Sequence, residues 1–222
     1  MAEVDWRPVL LSLRVAPAAT LLAILLGLPL AWLLARRRVP FGELLGALLT
    51  LPLVVPPTVL GYGLLLVLGR RTRLGGWLEQ TWGVVLVFDW PAAVLAGALA
   101  ALPLFVRTAQ AAFEGVDRDL EDAARTLGCG EGRLLLLVTL PLAARGVTSG
   151  AVLAFARAFG EFGATLMVAG NIPGRTQTLP TAIYDAVQAG QNEAALLLVL
   201  LTCGVAGLCL MLLNRLGQAS RD

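Results

Sequence analysis

The stretch Ala16–Ala35 contains no charged residue, and Leu44–Gly69 contains none either. A helix needs about 20 mostly apolar residues to cross a bilayer. Lipid offers no partner for a free backbone N–H or C=O, so such runs fold as helices that bond their own backbone. Val9–Val15 extends the first run outward. Trp90–Phe113 is a third apolar segment, with Arg107 close to its end, and it can begin earlier because Thr81–Phe88 is also apolar. Gly146–Val168 is a fourth and carries Arg157 and Glu161. Ala194–Asn214 is a clean fifth. The expectation is an all-α integral membrane protein in one domain over residues 8–215. Its spans fall near 9–35, 44–69, 90–113, 146–168 and 194–214.

Composition agrees with lipid as the solvent. The chain of 222 residues is 58% hydrophobic and 14% charged, with a mean hydropathy of +0.80. Soluble domains average about 45–50% apolar and about 25% charged. A net charge of +2 is too small to imply nucleic-acid binding.

All basic side chains are Arg, with no Lys and no His. Without Lys there is no P-loop lysine to reach a nucleotide phosphate. Without His, a His-based triad and a His-ligated zinc site are excluded. The cysteines Cys129, Cys203 and Cys209 have no CxxC spacing and read as small hydrophobes or incidental thiols. The acidic start, Met1–Trp6, is unlike the basic start of a signal peptide, so the first apolar run reads as a retained helix.

Pro29, Pro52, Pro56 and Pro57 fall within or near these helices. The Pro56-Pro57 pair is expected to kink or interrupt the second span. Gly146 and Gly150 have the GxxxG spacing that permits close helix packing, although glycine is common in membrane helices generally.

Arg36-Arg37-Arg38 directly follows the first span, which places that end in the cytoplasm and the N-terminus outside. Five spans then put residues 114–145 and the C-terminus inside. Arg107, Arg118, Arg125, Arg133, Arg145, Arg215 and Arg221 join the inner set, while Arg7, Arg14, Arg70, Arg71, Arg73 and Arg175 stay outside. The cluster Arg70, Arg71 and Arg73 runs against the rule.

Residues 114–145 stand apart. Glu114, Asp117, Asp119, Glu121 and Asp122 crowd the start of a helix-like segment, where a helix dipole favours them, and Gly128 offers a stop. The apolar stretch Leu134–Leu140 then meets Pro141. Pattern alone also permits an ordinary amphipathic connector. The GxGxG run at Gly128–Gly132 lacks a preceding strand and carries no nucleotide reading.

Asp122-Ala123-Ala124, Gly128 after three residues, and Val138-Thr139-Leu140-Pro141 after nine more resemble the "EAA" signature of ABC importer permeases, E-A-A-x3-G-x9-I-x-L-P. Asp122 replaces Glu and Val138 replaces Ile. Glu121 supplies a neighbouring carboxylate, so the acid can be shifted by one residue. The resemblance implies a type I importer permease fold (MetI-like), with a short helix that docks into a groove of a separate ATPase subunit. Glu121, Asp122, Ala123, Ala124, Gly128, Leu140 and Pro141 are then the coupling residues. Small alanines seat the helix closely, an acid pairs with a partner's base, and the glycine re-aims the chain.

Ala156-Arg157-Ala158-Phe159-Gly160-Glu161-Phe162-Gly163-Ala164 resembles permeases for molybdate, tungstate and sulfate. Asn171-Ile172-Pro173-Gly174-Arg175-Thr176, continuing to Tyr184, and Phe113–Asp117 are more similar to the molybdate branch. The resemblance covers almost the whole chain. It implies a non-catalytic permease that works as a homodimer in a prokaryotic cytoplasmic membrane. Two ATP-binding cassette subunits would bind ATP and magnesium, an external binding protein would deliver the oxyanion, and this chain would hold no cofactor or metal. A sulfate or thiosulfate importer is the near alternative. A membrane enzyme and a passive channel are the distant ones, and neither accounts for the motif at 122–141.

Arg157 and Glu161 are four apart and can pair across one helical face. Counted from Arg145 at about 1.5 Å per residue, Arg157 lies roughly 18 Å along its helix, near mid-membrane. Ionisable groups there usually face the protein interior or a water-filled path. Two roles are open for Arg157, Gly160, Glu161 and Gly163: the anion path or its gate, and a structural lock. Asn171, Arg175 and Thr176 are expected at the outer end, as a contact for the binding protein or as an ordinary Pro-Gly turn.

Overall fold

The computed structural model describes residues 5–36 and 41–218, together with the side chains up to residue 215. Arg37, Arg38, Arg221 and the acidic start Met1–Val4 lie outside the described residues. The helices are α1 (Arg7–Ala35), α2 (Gly42–Val54), α3 (Pro57–Leu68), α4 (Arg73–Trp82), α5 (Trp90–Glu114), α6 (Arg118–Thr126), α7 (Glu131–Leu134), α8 (Leu140–Phe159), α9 (Gly163–Ala169), α10 (Leu179–Gln188) and α11 (Asn192–Gln218). A π-helical segment, Leu135–Thr139, links α7 to α8.

Proline marks the starts of α1, α3, α5, α8 and α10. It is favoured there because the first helical N–H groups have no partner within the helix. Asp89 caps α5 by accepting the Trp90 N–H at 2.7 Å, so the third span begins at Trp90 and Thr81–Phe88 stays out of it.

The second span is interrupted where the Pro56-Pro57 pair predicts: α2 and α3 meet at a bend of 113°. Val55 and Pro56 each precede a proline, which pushes both into extended backbone and ends α2. The expectation for the fourth span, 146–168, needs correction. A near-continuous apolar helix runs from Glu131 to Phe159, and it stops well before Val168. Pro141 does not break this helix. The wide π turn just before it absorbs the missing N–H and the bulk of the ring, and the helix continues.

The centre of the bundle is α1, α5 and α8, packed through small residues. Ala16, Ala19, Ala23, Ala101, Ala109, Ala154 and Ala158 are all buried there, around Phe105. Membrane helices gain no hydrophobic drive from leaving lipid, so they associate through such close contacts. Gly146 belongs to this seam. A Cβ there would lie 2.4 Å from Ala112 Cβ of α5, so the GxxxG spacing serves packing within the chain and gives no support to a dimer. A second cluster joins Val15, Ala92, Ala96, Ala164 and Val168 to Leu60 and Leu64 of α3. By contrast, α11 is very apolar and only 11% of its most apolar window is buried.

Candidate functional site

The segment 117–141 is built from the residues that carry the sequence signature. Asp117 caps α6 by accepting the Asp119 N–H at 2.9 Å. The other end closes with two bonds, Cys129 N–H to Ala124 O at 3.1 Å and Gly128 N–H to Arg125 O at 2.9 Å. This pairing is a Schellman motif. It requires a left-handed residue, and Gly128 has φ +82°. The chain then reverses into α7, where Leu134 is fully buried.

The two acids at the start of the signature face opposite ways. Glu121 is 2% exposed. Both its oxygens accept from the guanidinium of Arg36, the residue that ends α1. Thr139 Oγ1 donates to Glu121 Oε1 at 2.6 Å, and Arg36 Nη2 donates to Thr139 Oγ1 at 3.2 Å. The Arg36 guanidinium also lies 5.7 Å from the Trp32 ring centroid. The first span, the short helix α6 and the π segment are thereby tied at one point. Burial pushes the Glu121 carboxyl up. The hydrogen bonds from Arg36 and Thr139 and the charges of Arg36 and Arg125 outweigh it and hold the group below its ordinary value.

Asp122 points outward instead. It pairs with Arg125 at 2.6 Å, and Arg125 Nε reaches Glu131 at 3.0 Å, pinning the end of α6 to the start of α7. These bonds raise the Arg125 guanidinium above its ordinary value. Ala123 and Thr126 are exposed beside Asp122, and Leu127 projects with 88% of its surface exposed. Leu140 is half-buried against the core, and Pro141 is exposed in the first turn of α8. The outward face is therefore a small acidic and apolar knob on a rigid base. Arg36 and Thr139 were not singled out in the sequence. Arg36 counted only as part of a topogenic cluster, and Thr139 stands at a free position of the signature.

Arg157 and Glu161 do pair, at 2.7 Å, but not along one continuous helix, since α8 ends at Phe159 and Gly160 caps it. Glu161 is almost fully buried, and its Oε1 accepts the Ala164 N–H at 2.8 Å in the first turn of α9. It thus splices α8 to α9. Its surroundings, Ser12, Val15, Ala16, Phe159, Thr165 and Thr178, enclose no room for water. Gly163 allows close approach to the break in the second span, because a Cβ there would lie 2.9 Å from Pro57 Cβ. Glu161 is enclosed at this splice, whereas the Arg157 side chain keeps 29% of its surface exposed.

The three residues of the 171–176 loop separate. Ile172 O accepts the N–H groups of Arg175, Thr176 and Gln177. Thr176 is fully buried and accepts the Ile172 N–H at 3.0 Å, so it holds the turn and cannot meet an outside protein. Arg175 is exposed and pairs with Asp89 at 3.3 Å. Asn171 is half-buried, and its Oδ1 lacks a hydrogen-bond partner.

Comparison with known proteins agrees with this geometry. Residues 23–219 match the family described as "Binding-protein-dependent transport system inner membrane component". The molybdenum transport system permease protein ModB of Escherichia coli K12 is 44% identical over 223 residues, covering 100% of this chain and 97% of that protein. The Haemophilus influenzae protein of the same name is 45% identical over 178 residues, covering 80% of this chain and 78% of its own. Among solved structures, the MetNI methionine ABC transporter in an inward-facing conformation superposes with a TM-score of 0.71 at 18% identity, covering 97% of this chain and 99% of that one, and so shares the fold. The chain is a multi-pass inner-membrane permease component and belongs to the binding-protein-dependent transport system inner membrane components.

Proposed function

We propose that the chain is the membrane-spanning subunit of an ATP-driven importer that moves molybdate, or tungstate, inward by alternating access. The observation that carries the coupling half is the knob at Asp122, Ala123 and Leu127, set on a base tied to the first span through Arg36 and Glu121. The substrate half rests on the relatives, which are named for molybdenum transport and align along 100% and 80% of the chain.

In this reading two copies form the path, and two ATPase subunits bind ATP and magnesium. The N-terminus faces outward and the C-terminus faces the cytoplasm. An external binding protein docks on the face that bears Arg175. When the ATPases close, they push on α6. A load on α6 passes through Glu121 to the end of α1 and, through Thr139, into the π turn. The widened π turn is the softest point of the long helix, so motion can enter α8 there. Selectivity sits largely in the binding protein, since a tight site in the path would slow release.

The test is ATP-dependent molybdate uptake into proteoliposomes with the ATPase and the binding protein, in excess sulfate. Uptake that survives sulfate supports the molybdate class. Uptake abolished by sulfate moves the assignment to the sulfate branch. No ATP-dependent uptake of either anion overturns the substrate reading.

A further inference from the structure

The three arginines that run against the inside bias occupy one rigid corner between α3 and α4. Thr72 is its hub. Its Oγ1 accepts the Gly75 N–H at 3.0 Å and lies 2.8 Å from both Val67 O and Gly69 O. Beside the hub is an open cleft of about 520 Å³. Its floor is apolar, formed by Leu65, Leu66, Val85, Val87 and Phe88, and Arg70, Arg71 and Arg175 stand around it. Phe88 is held in this wall by a left-handed backbone, φ +59°, and by its N–H bond to Val168 O at 3.0 Å. A non-glycine residue adopts that backbone only where the surroundings enforce it.

Two further observations place the corner at headgroup depth. It directly ends an apolar half-span, α3, whose outer residues Tyr62, Leu66 and Val67 are exposed. The helix that follows, α4, is amphipathic. Leu74, Trp77 and Trp82 are exposed on it while Arg73, Glu79 and Gln80 are polar. A short helix with Trp and Leu on one side and charge on the other lies in the interface plane, and Trp anchors at that level. Charge at the corner is unbalanced. Arg70 pairs with Glu79 and Arg175 with Asp89, each at 3.3 Å, while Arg71 and Arg73 have no acidic partner among the described residues.

We propose that this cleft is a binding site for an anionic phospholipid. One acyl chain lies on the Leu65–Phe88 floor, and the phosphate and anionic headgroup sit between Arg71 and Arg70. A docking protein is the less fitting occupant of the cleft itself, because its floor continues into the exposed apolar flank of α3 at Tyr62, Leu66 and Val67, while Arg175, on the face given to the binding protein, stands only at the cleft's edge. The lipid explains why arginines collect where the topology rule disfavours them. Headgroups lie at both ends of a span, so the site does not depend on which end faces the cytoplasm.

The test is lipid retention by native mass spectrometry. The intact protein is taken from nanodiscs of equal dioleoylphosphatidylglycerol and dioleoylphosphatidylcholine, for wild type, R70Q/R71Q and V85W. The expected result is a retained phosphatidylglycerol favoured about tenfold over phosphatidylcholine in wild type and near parity in R70Q/R71Q. V85W should lose both lipids, because it blocks the chain while leaving the arginines. Absence of a preference in wild type, or a preference unchanged in R70Q/R71Q, overturns the site. Loss of external binding-protein affinity by R70Q/R71Q in pure phosphatidylcholine nanodiscs also overturns it and makes the corner a protein-docking surface.

Discussion

Arg36 and Glu121 are 85 residues apart in sequence, and the guanidinium of one grips both carboxylate oxygens of the other. The pair is part-buried, with side chains 15% and 2% exposed. Such a pair adds little net stability over a well-packed apolar pair, but removal of one partner strands a buried charge. Its value here is mechanical, because it fixes the angle of α6 against the first span.

The two acids of the signature should therefore respond differently. Glu121→Ala leaves the Arg36 charge without its carboxylate, with only Thr139 still accepting from it, and is expected to cost about 3 kcal/mol, the low end for breaking a buried pair. Asp122→Asn disturbs only an exposed pair and should cost less than about 1 kcal/mol. Thermal unfolding of the purified chain in detergent separates them. Equal losses would contradict the inward and outward assignment.

Acid should loosen the same joint. Folded Glu121 has a lowered pKa relative to its ordinary 4.5, so the unfolded state binds a proton first as pH falls. The stability it contributes is complete above the ordinary value and is lost as pH drops through the folded value. The protection factors of the α6 amides, with the intrinsic pH dependence of exchange divided out, should fall below about pH 4.5 in the wild type, and Glu121→Gln should lack this dependence. Wild-type protection that is unchanged between pH 7 and pH 3.5 would count against the joint.

Leu127 should matter to a partner and not to the fold. It is 88% exposed, so Leu127→Asp removes no internal packing. Burial of a leucine at an interface contributes about 1.5–3 kcal/mol, which is roughly ten- to a hundredfold in affinity. Titration of the ATPase subunit onto the permease in nanodiscs should show that loss at unchanged thermal stability.

Arg157→Met and Glu161→Gln test the lock. Glu161 holds Arg157 at 2.7 Å and the Ala164 N–H at 2.8 Å. Both variants should lower the unfolding temperature while the substrate concentration for half-maximal uptake stays within about twofold, since binding-site contacts are unaffected. A shift of that concentration by tenfold at unchanged stability would restore the path role.

Much of this was legible in the sequence because lipid imposes simple rules. Uncharged length located α1 and α11, and the resemblance of Asp122–Pro141 to the permease signature singled out the stretch that folds as α6, α7 and the π turn. Gly128 was readable because its place after a polar helical run fits a left-handed cap. What was not legible depends on contacts between distant residues. Nothing local in Arg36 distinguishes a topogenic charge from the partner of Glu121, and nothing in Thr139 marks it as the third member. The end of α8 at Phe159 was missed for a related reason. Apolar composition continues through Gly160–Val168, so hydropathy alone runs past the point where Glu161 splices two helices.

The central claim is that ATPase motion reaches the spans through Arg36 and Glu121. The direct measurement is molybdate transported per ATP hydrolysed in proteoliposomes, for wild type, Arg36→Met, and the exchanged pair Arg36→Glu with Glu121→Arg. The account predicts that Arg36→Met keeps ATP hydrolysis while the ratio falls at least tenfold, and that the exchanged pair recovers a substantial part of it. A ratio in Arg36→Met equal to wild type, with the protein folded and the ATPase bound, would contradict it.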